Sequence, residues 1–175
     1  TIDRRKKNMK KSRHSIPAMI FHWGFLIIFI YGILKQVEDI NQLSDISLLK
    51  FEIIFATLML ILLIIRYFYM SRTQVTSLPD DTSMFQKRAA KVVHLSLYIN
   101  LAVIPITGLV IGILYWLGLK SGIFIEFTVG LHELSISTMY WLIAIHVSAA
   151  IFHRFKNDGV WSSMVPLLPE KKTSD

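Results

Sequence analysis

The sequence predicts an all-α fold: a bundle of four membrane-spanning helices with both chain termini in the cytoplasm. Three observations predict it. Apolar residues make up 53% of the 175 positions, and they gather in four long runs. The Lys and Arg residues fall between those runs on alternate sides. No segment between the runs is long enough to form a second domain, and there is no repeat or low-complexity stretch, so the whole chain 1–175 reads as one integral membrane domain.

The runs lie at about 16–35, 46–70, 92–119 and 134–155. A helix needs about 20 residues to cross a hydrocarbon core of about 30 Å, and each run meets that length. In lipid the backbone must satisfy its own hydrogen bonds, so the runs are expected to be helical throughout. The first follows a basic stretch but lacks a small-residue cleavage pattern and reads as a retained helix, not a signal peptide. A short loop, QVEDINQLSD, leads to the second. The polar link SRTQVTSLPDDTSMFQKR, with its proline and paired aspartates, marks a turn before the third. That third run holds Pro105, which can kink a helix, and the pair Gly108 and Gly112, which permits close approach of another backbone or a flat ligand. The stretch LKSGIFIEFTVGLHE is expected to be a loop ahead of the fourth helix, and KNDGVWSSMVPLLPEKK an amphipathic tail at the interface.

Charge sets the orientation. The segment RRKKNMKKSRH carries seven Lys and Arg, the link between the second and third helices with its flanks carries five, and the C-terminal tail carries four. Against these stand only Lys35, Lys50 and Lys120 on the other face. Such a bias places the termini and the middle link in the cytoplasm. The net charge of +7 is thus mainly a topology signal. A basic anchor beside anionic lipid accounts for the N-terminal segment better than nucleic acid does. The chain has no cysteine, which excludes disulfides, iron–sulfur clusters and covalent c-type haem attachment.

The histidines carry the chemistry. Ionisable groups are costly within a membrane and tend to mark function. His132 and His146 are 14 residues apart on the fourth run, about 3.9 turns and about 21 Å, so they face one way at different depths. Two stations on one wall suit electron transfer across a membrane better than a single catalytic centre. A neutral imidazole binds haem iron, and the macrocycle shields that polar group from lipid. His22, in MIFHWGF, can meet His146 at one depth near the cytoplasmic side, giving axial ligands from two helices. Alone, either histidine reads equally well as a hydrogen-bonded packing residue; the matched depth favours the pair.

With these residues in place the chain resembles the bacterial di-haem cytochrome b561 proteins, whose members include superoxide oxidase. The resemblance covers about residues 16–167. It rests on FHW in the first helix, Arg66 ending the second, AAKVVHLSLYINLAVIPITGL in the third, and HELSISTMYWLIAIH continued through HVSAAIFHRFKNDGVWSSMVP. It implies that His22 and His146 ligate a haem b near the cytoplasmic side and that His132 ligates a second near the outer face. The partner of His132 in the family is a histidine about 14 residues before the arginine matching Arg66, and Glu52 stands there; Ala56 keeps the small residue one turn on. Three arrangements stay open: a five-coordinate outer haem on His132 with Glu52 beside it, no outer haem, or Lys50 in the missing ligand's place. One or two haems are therefore expected. The resemblance also implies quinone contact (ubiquinone or another quinone) at His153, which reads equally as an interfacial histidine. His94 begins the third helix at the same level with Lys91 and Arg88 nearby, and such cationic groups meet haem propionates, so it is expected to contact a propionate or to support a ligand from behind. His14 reads as solvated.

Three functions compete. The first is a b-type cytochrome passing electrons between the quinone pool and an unidentified redox partner at the outer face. The second is a superoxide:quinone oxidoreductase, which needs a positive funnel for its anion; the outer face instead carries Glu38, Asp39, Asp45, Glu52, Glu126 and Glu133. The third is a haem-free membrane scaffold.

Overall fold

The computed structural model describes residues 15–73, 78–79, 81–166, 168 and 170; His14, the basic N-terminal segment and most of the 74–80 link lie outside them. The described chain is helical, with no strand. The elements are α1 (Ile16–Leu34), a 3-10 turn (Ile40–Ser44), α2 (Ile46–Thr73), α3 (Met84–Trp116), α4 (Ile123–Lys156) and the short α5 (Val160–Met164). Helices α1 to α4 are each long and apolar enough to cross a membrane.

Local chemistry explains the boundaries. Ser15 caps α1, its hydroxyl accepting from the Ala18 N–H at 3.3 Å, and Pro17 sits in the first turn where its missing N–H costs nothing. Asp45 accepts from the Ser47 N–H at 2.8 Å and starts α2. Gly122, at φ 103°, and Gly159, at φ 89°, take backbone conformations that suit glycine and release α4 and α5.

Two helices begin earlier than the hydropathy expects. Helix α3 starts at Met84 rather than near 92, because Ser83 caps it by accepting from the Gln86 N–H at 3.3 Å. Helix α4 starts at Ile123 rather than near 134, so IFIEFTVGLHE is helix and not loop. Glu126 lies in its first turn, where a negative charge meets the helix dipole favourably. His132 is consequently about 13 Å inside α4 rather than at its end, and His94 is nearly three turns into α3.

Close packing runs from α3 to α4, from α3 to α2, and from α2 to α1. That order leaves α2 and α4 diagonal, with α1 held mainly by α2. Asn100 on α3 donates to the Ser135 carbonyl on α4 at 2.6 Å, a buried bond between the two. Gly112 lets the Ile53 side chain approach: a Cβ there would stand 2.8 Å from it. Two buried clusters result. Phe25, Phe29, Met59, Leu63 and Met139 form one; Leu43, Leu49, Ile111, Tyr115 and Ile125 form the other. Most remaining large apolar side chains point outward, Trp141 at 70% exposure among them, as lipid-facing residues should.

Candidate functional site

At the end of the bundle that holds the starts of α1 and α3 and the end of α4, three histidines converge from those helices. The His22 and His146 rings have centroids 6.3 Å apart at 54°, and those of His94 and His146 are 5.1 Å apart at 84°. Metal–imidazole bonds of about 2 Å place two rings on opposite sides of one ion with centres about 6 Å apart. The first pair meets that distance. The second is an edge-to-face contact, too close to hold an ion between the rings.

Arg66 on α2 borders the cluster. Its Nη2 lies 3.0 Å from His22 Nδ1, and its guanidinium carbon stands 5.4 Å and 5.6 Å from the Phe25 and Tyr98 ring centroids. Its Nε is buried without a hydrogen-bond partner among the described residues. A guanidinium placed this way can take an anion. The sequence carried a signal for it, a lone cation inside LILLIIRYFYM, that reading it as a helix end passes over. His94 is oriented by its own helix, Nδ1 donating to the Ala90 carbonyl at 2.7 Å.

His132 lies apart from this cluster, in the other half of the bundle. Its Nδ1 is 2.8 Å from Thr107 Oγ1, and a Cβ on Gly108 would come to 3.5 Å from its ring. It lines a cavity of about 120 Å³, or about 730 Å³ of atom-free space counting the open side. Glu52 lines the same cavity from α2, with Gly32, Ala56 and Gly108 among its small-residue walls. Glu52 Oε1 is buried with no hydrogen-bond partner among the described residues. Lys50, the other candidate at this station, is not among the lining residues. Thr107 is a contributor that sequence reasoning misses, since only the α3–α4 register puts it against His132.

His153 is held at the end of α4, its Nδ1 2.7 Å from Asp158 Oδ2, with Lys156 Nζ 3.6 Å from the same oxygen. Both His153 and Asp158 are about nine-tenths buried, at 12% and 10% side-chain exposure.

No group of three or more His, Cys, Asp or Glu among the described residues is arranged to hold a bare metal ion. The arrangement offers axial imidazoles instead, the donors a haem requires because its macrocycle supplies the rest. The residues at the basic end fit such a group: two rings at the right separation, from helices that do not pack closely, and beside them a guanidinium whose Nε has no hydrogen-bond partner among the described residues.

The family model described as prokaryotic cytochrome b561 matches residues 13–167. A search of curated proteins gave no match, and a search of solved structures gave none. With four apolar helices and a match over nearly its full length, the chain belongs to the prokaryotic cytochrome b561 family, multi-pass membrane proteins of b-type haem electron transfer.

Proposed function

We propose that His22 and His146 are the axial ligands of a haem b at the basic end, and that the protein passes single electrons between it, a membrane quinone and a redox partner at the opposite face of the bacterial inner membrane. The observation that carries this reading is the 6.3 Å separation of the two imidazoles across the α1–α4 gap. The haem supplies a reversible one-electron couple; this chain's residues orient it and exclude water.

Arg66 has a defined task in that arrangement. A guanidinium only donates, so its contact at 3.0 Å leaves a lone pair on His22 Nδ1 and the ring proton on Nε2. Ligation through Nε2 requires the proton on Nδ1 and Arg66 turned away. A haem propionate would supply an anion for it to hold, with His94, Lys91 and Arg88 on the α3 side. At the end of α4, Asp158 engages Nδ1 of His153 and leaves Nε2 to meet a quinone carbonyl.

Purified protein reduced with dithionite should show a b-type α-band that the His22→Ala, His146→Ala double variant lacks. An unchanged band in the double variant would refute the ligand assignment. His153→Ala should keep the band and slow its reoxidation by a soluble quinone several-fold; unaltered reoxidation would remove quinone from that position. The outer-face carboxylates give no support to superoxide as the electron donor.

A further inference from the structure

A groove runs along the outside of the bundle between α2 and α3. Ile64, Tyr67 and Phe68 line it from α2, and Leu95, Ile99 and Ala102 from α3, around a space of about 300 Å³. It is open to the surroundings: Ile64, Phe68, Leu95 and Ile99 are each more than half exposed. From Leu95 to Ala102 it runs about 10 Å along the helix axis, enough for the upper part of one acyl chain. Apart from the tyrosine hydroxyls its lining is apolar, so in a bilayer hydrocarbon fills it rather than water.

What lies at one end of the groove narrows the choice of occupant. The rings of Tyr67 and Tyr98 meet edge to face at 5.7 Å and fix the relative level of the two helices. Counted from that contact, Arg72 is five residues on along α2 and Lys91 seven residues back along α3, so the two lie within about 3 Å of one depth. The Arg72 guanidinium carbon stands 5.7 Å from the centroid of the Phe68 ring, which lines the groove. Lys91 is one turn before Leu95, and Arg88 about two turns before it, on the same face of α3. All three cations are exposed, and none pairs with a carboxylate among the described residues. Basic side chains at the end of an apolar groove between helices suit an anionic head group above its acyl chain. A quinone tail would fill the same groove, but a neutral quinone ring gains little from two cations.

We propose that the α2–α3 groove binds one anionic phospholipid, with an acyl chain against Phe68, Leu95 and Ile99 and the phosphate held between Arg72 and Lys91. Arg88 adds its charge from the next turn out. The Arg72 guanidinium donates paired hydrogen bonds to phosphate oxygens, and the Lys91 ammonium acts as a point charge. Because Lys91 and Arg88 also stand on the α3 side of the haem station, Arg72 is the residue that separates the two roles. The site requires only that the chain spans a membrane, so it stands apart from the His22–His146 assignment.

The test is photo-crosslinking of the full chain in phosphatidylcholine vesicles. The probe is phosphatidylglycerol carrying a diazirine in one acyl chain, and phosphatidylcholine with the same chain is the neutral control. In wild type the charged probe should label peptides spanning 64–68 and 95–99 about tenfold more than the control. Arg72→Gln should lower that labelling several-fold, toward the control. Ile99→Trp, which puts bulk into the groove, should lower labelling of 64–68 by both probes. Both variants should keep the reduced haem α-band of wild type, which separates loss of the lipid from loss of the fold. Excess ubiquinone should leave the labelling unchanged. Equal labelling of the groove by charged and neutral probes, undiminished labelling in Arg72→Gln, or displacement of the phospholipid by quinone would each overturn the proposal.

Discussion

Single polar residues inside this bundle act through a few specific contacts, and the sequence shows the residue types but not the contacts. Six histidines in a membrane chain are conspicuous, and pairing His22 with His146 needs only helix depth. The hydrogen bond of His132 was not legible, because it depends on Thr107, 25 positions away. Arg66 was legible as a lone cation, whereas its place beside His22 depends on how α1 meets α2. Asn100 is the clearest case of a structural polar group. It is buried, and its amide bonds the Ser135 carbonyl across the α3–α4 interface. Asn100→Ala should cost roughly 0.6–2 kcal/mol, the range of interhelical hydrogen bonds in membranes, and lower the thermal unfolding midpoint in detergent without altering haem spectra.

At the scale of elements, the number and order of helices were legible and two of their starts were not. Hydropathy marks where apolar residues lie, whereas a helix starts where its first N–H groups find partners. The segment Ser83–Met84–Phe85–Gln86 has the spacing of an N-cap followed by Gln three residues on, a signal independent of hydropathy. The α4 start was hidden by Glu126, Gly130 and Glu133, which resemble loop composition but fit about two turns of helix at the outer end. Asp45, outside the membrane, has its carboxyl held below the usual aspartate range by hydrogen bonds from the Ser47 hydroxyl and N–H. The cap contribution is therefore complete above about pH 4 and is lost as pH falls through the lowered value. Backbone exchange at the start of α2 should be flat from pH 5 to 8 once corrected for intrinsic rates, and should rise in Asp45→Ala. Helix α1 is tied to the tail by Trp23, whose indole N–H donates to the Met164 carbonyl at 3.0 Å. Trp23→Phe should loosen α5 by about 1 kcal/mol, read as faster hydrogen exchange in residues 160–164.

For the whole molecule, the fold class follows from composition alone, since four spans of apolar residues have few other solutions in lipid. The open side of the bundle does not follow from composition. It arises because α3 packs against both α2 and α4 while α1 stands off from α4, and the His22–His146 pair faces across that gap. The charge asymmetry adds orientation: fluorescent-protein fusions at the C-terminus should be bright in the cytoplasm, and alkaline phosphatase fusions there inactive. The opposite pattern would invert the proposed sides and move the quinone station with them.

The central claim is that His146 shares an iron with His22 and not with His94, although the His94 ring is nearer. The most direct measurement is the low-spin haem signal in His22→Ala and His94→Ala compared side by side. The account predicts that His22→Ala loses the signal and that His94→Ala retains it with at most a shifted midpoint potential. Loss in His94→Ala with retention in His22→Ala would contradict it.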